Sequence, residues 1–230
     1  GSRDETCRVV RSTFESLKSN DSWRLVSLKE NSGKGAAVKT GMRLAEGQFR
    51  LMVDADGATD FGPGLEKLTQ SMITSMQEDQ KSSTKQEQSK KLAVLGSRAH
   101  LQEEAATKRS LVRTILMVGF HFFVSLLVSS RIQDTQCGFK LFTRDAAIAI
   151  FETLHLRRWA FDTEVILLCD SQGIQLQEVP VPWQEVDGSK LNTSKLALAI
   201  VSLTMLRDMI CVRACYTLGI WKEPTASSPQ

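Results

Sequence analysis

The chain has 230 residues, 42% of them hydrophobic and 24% charged, an ordinary globular balance at a length that suits one domain with appendages. A formal net charge of +3 is too mild to suggest a nucleic-acid binder, and there is no basic run interleaved with aromatics. The 5 cysteines are odd in number and lack CxxC spacing, which excludes a disulfide framework or a zinc site of that pattern and favours a reducing, cytosol-facing setting.

The residues from Gly1 are polar and charged, so no signal peptide is expected there. From Asp4 to Lys18, Val9, Val10, Phe14 and Leu17 recur at helical spacing. Trp23–Glu30 (WRLVSLKE) reads as a strand. Asn31–Gly47 reads as a glycine turn running into a helix with Ala37, Val38, Met42 and Leu44 inside. In FRLMVD, Phe49, Leu51 and Val53 alternate with Arg50, Met52 and Asp54, which suits a buried strand of about five residues. Strand, turn, helix and strand in this order predict a doubly wound α/β domain, whose ligands gather beyond the carboxyl ends of its strands.

Gly64–Gln77 begins another helix. Glu78–Lys91 is nearly devoid of apolar side chains and is expected to be a surface excursion. LAVLGSR (Leu92–Arg98) is a short apolar strand delivering an arginine. Two later segments are strongly apolar. Thr114–Val128 is short of the roughly 20 residues that span a bilayer, and Leu196–Trp221 is interrupted by Arg207, Asp208 and Arg213. Each is expected to be a buried core helix or a helix lying in a membrane interface. No internal repeat is visible.

Several constellations carry chemistry. Period two aims Asp54 and Asp56 the same way as the chain leaves its strand. Paired carboxylates suit a hard divalent cation with open positions for phosphate, and they also suit a plain strand end capped by turn residues. Asn31-Ser-Gly-Lys-Gly35 lies between strand and helix, where glycines and Lys34 favour phosphate at a helix N-terminus. It lacks P-loop spacing, and a tight turn is the plainer alternative. Arg98 and Arg113 flank the apolar segment and fit a ligand with a phosphate head and an apolar tail. Asp134 precedes Cys-Gly-Phe and a short strand. Asp162 and Glu164 open a helix, where acids ordinarily answer the helix dipole. Val179–Asn192 mixes turn residues with Lys190.

Taken in order, GSRDET, KENSGKGAAVKTGM, LMVDADGATDF, GSRAH, DTQCGFKLFTRDAA, RRWAFDTEVILL and VPVPWQEVDGSKLN resemble the dolichyl-phosphate beta-glucosyltransferases of family 2 of the inverting glycosyltransferases. The resemblance runs from Gly1 to about Trp221. It implies an α/β fold of GT-A (Rossmann-like) type over residues 1–195, an apolar helical segment over 196–221 and a disordered tail over 222–230. In that family a GS pair ends an aspartate-rich motif, so the first strands, the uracil-binding start and the membrane anchor are expected to be missing here.

The same resemblance implies glucose transfer from UDP-glucose to dolichyl phosphate, with inversion, at the cytosolic face of the endoplasmic reticulum membrane. Mg²⁺ or Mn²⁺ would be held by Asp54 and Asp56. Gly33, Lys34, Gly35 and Asp54 would attend the donor, Arg98 and Arg113 the acceptor phosphate, and Asp134 the reacting centre. Two alternatives stay open at this point: a mannosyl or other polyprenyl-phosphate sugar transferase, and an inactive piece acting as a membrane-surface or partner-binding module.

Overall fold

Four short strands pair into one mixed sheet in a computed structural model that describes residues 2, 4–17, 22–82, 91–101, 132–184, 186 and 195–221. In chain order the elements are α1 (Thr6–Ser16), α2 (Lys34–Leu44), β1 (Phe49–Val53), α3 (Phe61–Ser82), β2 (Leu92–Ser97), β3 (Phe139–Thr143), α4 (Arg144–Thr153), α5 (Phe161–Ser171), β4 (Gln175–Pro180) and α6 (Lys195–Thr217). The strand order is β1-β3-β2-β4. β3 runs antiparallel to both its neighbours, and β2 pairs parallel with β4.

Every residue of β2 and of β3 is buried, as expected for central strands covered on both faces. Period two divides them between two layers. Leu92, Val94, Phe139 and Leu141 pack toward α3 with Leu68 and Met72. Ala93, Leu95 and Phe142 pack on the other side against α4 and α5, through Ala146, Ile150, Phe161 and Val165. The result is a three-layer helix–sheet–helix sandwich.

That alternation corrects the reading of β1. Its buried residues are Arg50 and Met52, each 5% exposed, while Phe49 is 50% and Val53 41% exposed. The register opposes Met52 to Lys140 and Arg50 to Phe142, so the even-numbered face meets α2, α4 and α5. Arg50 is accommodated there because its Nη1 donates to the Met42 carbonyl at 2.7 Å.

Trp23–Glu30 forms no strand: it has no ladder partner among the described residues, and most of its side chains are exposed. Alternation without a pairing edge does not make a strand. α3 continues to Ser82, five residues into the expected excursion, because Glu78–Ser82 holds no glycine or proline to stop it. The remainder of that excursion up to Lys90, Arg113 and Thr114–Val128 lie outside the described residues.

α6 takes up most of Leu196–Trp221. Met205, Met209 and Val212 are buried, while Ile200, Leu203 and Ile210 on other faces are exposed. Gly219, at φ +67°, ends it in the left-handed turn that glycine adopts freely. Among the described residues no helix is long and apolar enough to cross a membrane.

Candidate active site at the carboxyl ends of the strands

Because β3 opposes the other three strands, its start meets their carboxyl ends. Asp54 follows β1, Arg98 follows β2, Val181–Trp183 follow β4, and Asp134–Gly138 lead into β3. A cleft of about 80 Å³ forms where they converge, lined by Asp54, Asp56, Arg98, Gln136, Gly138 and Trp183. The Asp56–Asp60 turn is pinned to the segment after β4, with the Gln184 amide donating to the Ala58 carbonyl at 2.8 Å and a bridge joining Thr59 to Trp183. Gln136 also reaches α6, its side-chain amide donating to the Met205 sulfur at 3.7 Å.

Asp54 extends the ladder by one bond, its amide donating to the Gly138 carbonyl at 2.8 Å. Its Oδ2 accepts from Lys34 Nζ at 2.6 Å, and Lys34 lies 5.6 Å from the centre of the Trp159 ring. Lys34 is the first residue of α2, preceded by Gly33 at φ +94°. The Gly33 amide donates to Asn31 Oδ1 at 3.1 Å. A Cβ at Gly33 would lie 2.4 Å from the Arg157 carbonyl oxygen, and one at Gly35 2.6 Å from that of Leu156. These glycines therefore let the turn pack against the 156–157 backbone, and so set the height at which Lys34 is presented.

That backbone is itself held by Glu164, whose carboxylate accepts from the His155 and Leu156 amides at 2.9 and 2.6 Å and from the Tyr216 hydroxyl at 2.8 Å. Glu164 is thus a buried anchor, a larger role than the dipole partner its sequence position predicts.

Gly138 explains why glycine stands before β3. A Cβ there would sit 2.0 Å from Asp54 Oδ2 and 2.2 Å from its Cγ, so the carboxylate lies directly on the glycine. Gly138→Ala is expected to turn the Asp54 side chain away from Lys34 and to cost about 1–3 kcal/mol, the usual range for an overpacked site. Urea unfolding measures the cost. A variant with wild-type stability and wild-type catalytic rate would show that the contact is dispensable.

Asp56 is exposed, and its Oδ1 accepts from the Ala58 amide at 3.0 Å, with Gly57 between them at φ +72°. Asp54 Oδ1 and Asp56 Oδ2 take no partner among the described residues, and both residues line the same cleft. No cluster of three or more potential metal-ligating side chains occurs among those residues. Two carboxylates with the remaining positions free fit a small hard cation that completes its shell with water and substrate phosphate oxygens.

Arg98 and Asp134, read from the sequence as separate acceptor and reaction-centre residues, are bonded to one another. Arg98 Nε and Nη2 donate to the two Asp134 oxygens at 2.7 and 2.8 Å, and the Arg98 amide adds a third bond at 2.9 Å. Glu178 fixes the chain beneath them by accepting from the Gln133 and Asp134 amides, both at 2.8 Å. Burial alone would push the Asp134 carboxyl up. The hydrogen bonds and charge of Arg98 outweigh it and hold Asp134 below the usual carboxylate range. Asp134 is only 4% exposed and stays ionised. The pair presents its arginine side to the cleft, where the guanidinium lies 5.3 Å from the centre of the Trp183 ring.

Lys140 was not singled out by the sequence reading. It is the second residue of β3, with its side chain wholly buried, donating to the Cys137 carbonyl and to Asp162 Oδ1, the latter at 2.7 Å. Burial pushes the Asp162 carboxyl up, against the opposing pull of Lys140. The available signal is the lone cation in FKLFT, since lysine is almost never fully buried without a partner.

The chain matches the model of the family described as "Glycosyl transferase family 2" over residues 1–151. It is 44% identical over 223 residues to a protein of Dictyostelium discoideum named dolichyl-phosphate beta-glucosyltransferase, covering 96% of this chain and 63% of that relative. Proteins of the same name from Saccharomyces cerevisiae and Homo sapiens are 41% and 40% identical, over 97% and 96% of this chain and 65% and 64% of their own lengths. The chain thus spans a little under two thirds of the length of these curated relatives. Its mixed α/β sheet, with two aspartates at the carboxyl end of β1, is of the GT-A, Rossmann-like kind. On the family match and this architecture, the chain belongs to glycosyl transferase family 2.

Proposed function

We propose that the protein transfers glucose from UDP-glucose to dolichyl phosphate, with inversion, at the cytosolic face of the endoplasmic reticulum membrane. The observation that carries this reading is the convergence of Asp54, Asp56 and the Arg98–Asp134 pair on one cleft, in a chain whose relatives bear the name dolichyl-phosphate beta-glucosyltransferase. Residues 1–195 form the catalytic unit in this proposal, and the exposed apolar side chains of α6 rest against the membrane surface.

Asp54 and Asp56 would hold Mg²⁺ or Mn²⁺. When bound, that ion supplies Lewis-acid stabilisation of the charge that grows on the UDP leaving group. Lys34 adds positive charge beside the donor diphosphate, at a height set by Gly33 and Gly35. The attacking oxygen belongs to a phosphate monoester, which is largely ionised near neutral pH because its second pKa is about 6. A general base is therefore not required for deprotonation. Asp134 acts instead by aiming and electrically balancing Arg98, which meets the acceptor phosphate with the part of its guanidinium turned to the cleft. Arg113 joins Arg98 at that phosphate, and Trp183 walls the site against water.

The test is an assay of the protein purified from its own cells, given radiolabelled UDP-glucose, dolichyl phosphate and Mg²⁺ or Mn²⁺. Label is expected in the lipid extract, in an acid-labile beta-linked product. No lipid label with either metal would overturn the reading, and faster labelling from GDP-mannose would overturn the choice of donor.

A further inference from the structure

At the opposite end of β1 lies a second cleft of about 460 Å³, lined by Lys39, Thr40, Arg43, Arg50, Ile148 and Glu152, with Leu44 at its margin. Arg50 stands four residues before Asp54, ~13 Å away at the rise of a strand, so this cleft is separate from the candidate active site. Three cations face it and one carboxylate, and none of the three cations has an ion-pair partner among the described residues.

Lys39 and Arg50 spend part of their hydrogen bonding on the backbone. Lys39 Nζ donates to the Leu154 carbonyl at 2.6 Å and Arg50 Nη1 to that of Met42 at 2.7 Å. Those bonds tie down helix ends but leave the charges unneutralised. Arg50 is 5% exposed, and its Nε is enclosed with no acceptor among the described residues. Nη2, likewise without a partner there, is left as the donor that reaches the cleft. Burying a guanidinium with unmet donors is costly unless something anionic answers them. Lys39 feels the same crowding: burial, then Arg43, hold its ammonium below the usual lysine range, against the pull of Glu164 and Glu152.

We propose that this cleft is a binding site for a phosphate group, separate from the catalytic centre. Arg43 offers a planar donor edge suited to phosphate oxygens, Arg50 adds its remaining Nη2 donor and Lys39 a point charge, while the Thr40 hydroxyl beside them is already committed to the Ala36 carbonyl at 2.8 Å. The volume exceeds that of a bare phosphate, leaving room for what the phosphate is attached to. Leu44 and Ile148 supply an apolar wall for it. The phosphate comes either free in solution or on a lipid headgroup.

The experiment uses the whole chain and two probes. Inorganic phosphate is titrated against thermal stability, with chloride matched for ionic strength. Vesicles of phosphatidylcholine, with and without phosphatidic acid, are used for flotation. Wild type, Arg43→Gln and Lys34→Gln are compared. Phosphate is expected to raise the Tm of wild type, and Arg43→Gln to weaken that effect about tenfold, the scale of one charge-assisted hydrogen bond. Binding of phosphatidic acid vesicles that Arg43→Gln abolishes, with little response to free phosphate, assigns the group to a lipid. The reverse pattern assigns it to a soluble ligand. Binding equal in Arg43→Gln and wild type, or lost only in Lys34→Gln, overturns the proposal, as does binding of neither probe beyond the chloride control.

Discussion

Alanine at Asp56 is expected to lower glucosyl transfer by about a hundredfold or more while leaving the fold nearly intact. The two effects separate because of where Asp56 sits. Its side chain is exposed and gives the fold only the 3.0 Å bond from the Ala58 amide, a contribution of about 1 kcal/mol. In the proposed reaction its free oxygen helps hold the ion that neutralises the departing diphosphate, an effect of several kcal/mol. At about 1.4 kcal/mol per factor of ten, losing some 3 kcal/mol gives the hundredfold estimate. Asp54→Ala is expected to lose as much activity and more stability, because it also frees Lys34 from its 2.6 Å partner. Initial rates at rising Mn²⁺ with urea unfolding of both variants make the check. A wild-type rate in Asp56→Ala, or a reaction indifferent to excess chelator, would remove the metal from the proposal.

Much of the scaffold behind this site was legible, for a definite reason. α2, β1 and β2 are local: a glycine turn, a helical repeat and two short apolar runs are written in adjacent residues. The placement of Asp54 and Asp56 at a strand's carboxyl end followed from the strand alone. What could not be read is what depends on the neighbours of a strand. The choice of buried face in β1 is made by its pairing with β3, which places Arg50 and Met52 beside Phe142 and Lys140. Alternation gives two faces and does not say which of them the helices cover. The same limit applied to Trp23–Glu30, whose strand-like pattern finds no ladder among the described residues. The bond between Arg98 and Asp134 spans 36 positions, and no local periodicity encodes such a pairing. It alters the chemistry read from each residue, since an arginine already carrying a bidentate carboxylate would meet the proposed acceptor phosphate with a reduced set of donors.

Lys140 is the residue whose loss should be felt most widely, although it lies outside the cleft. Its ammonium joins the Cys137 carbonyl to Asp162. Cys137 precedes Gly138, on which the Asp54 carboxylate rests. Lys140→Met keeps the volume and removes the charge, leaving Asp162, 3% exposed, without its cation. Breaking one half of a buried pair costs about 3–5 kcal/mol, a large share of the 5–15 kcal/mol typical of a folded domain. The pH dependence identifies the cause. Burial already raises the Asp162 carboxyl in the wild type, and without Lys140 it rises further. A group whose folded pKa is raised favours the fold below its unfolded pKa, about 3.9 for Asp, and that contribution is lost as pH rises through the folded value. The deficit of Lys140→Met relative to wild type should therefore be largest near neutral pH and shrink on acidification toward pH 4. Adding Asp162→Leu should restore most of the stability at neutral pH, since an apolar pair replaces a buried ionic one at little cost. It should not restore transfer, because the Cys137 carbonyl would remain untethered and Asp54 would lose its seat on Gly138. Urea unfolding across pH with rate measurements on the single and double variants makes the comparison. A deficit flat with pH would show that an unpaired Asp162 charge is not the cause, and full activity in the stable double variant would show that the pair does not position the site.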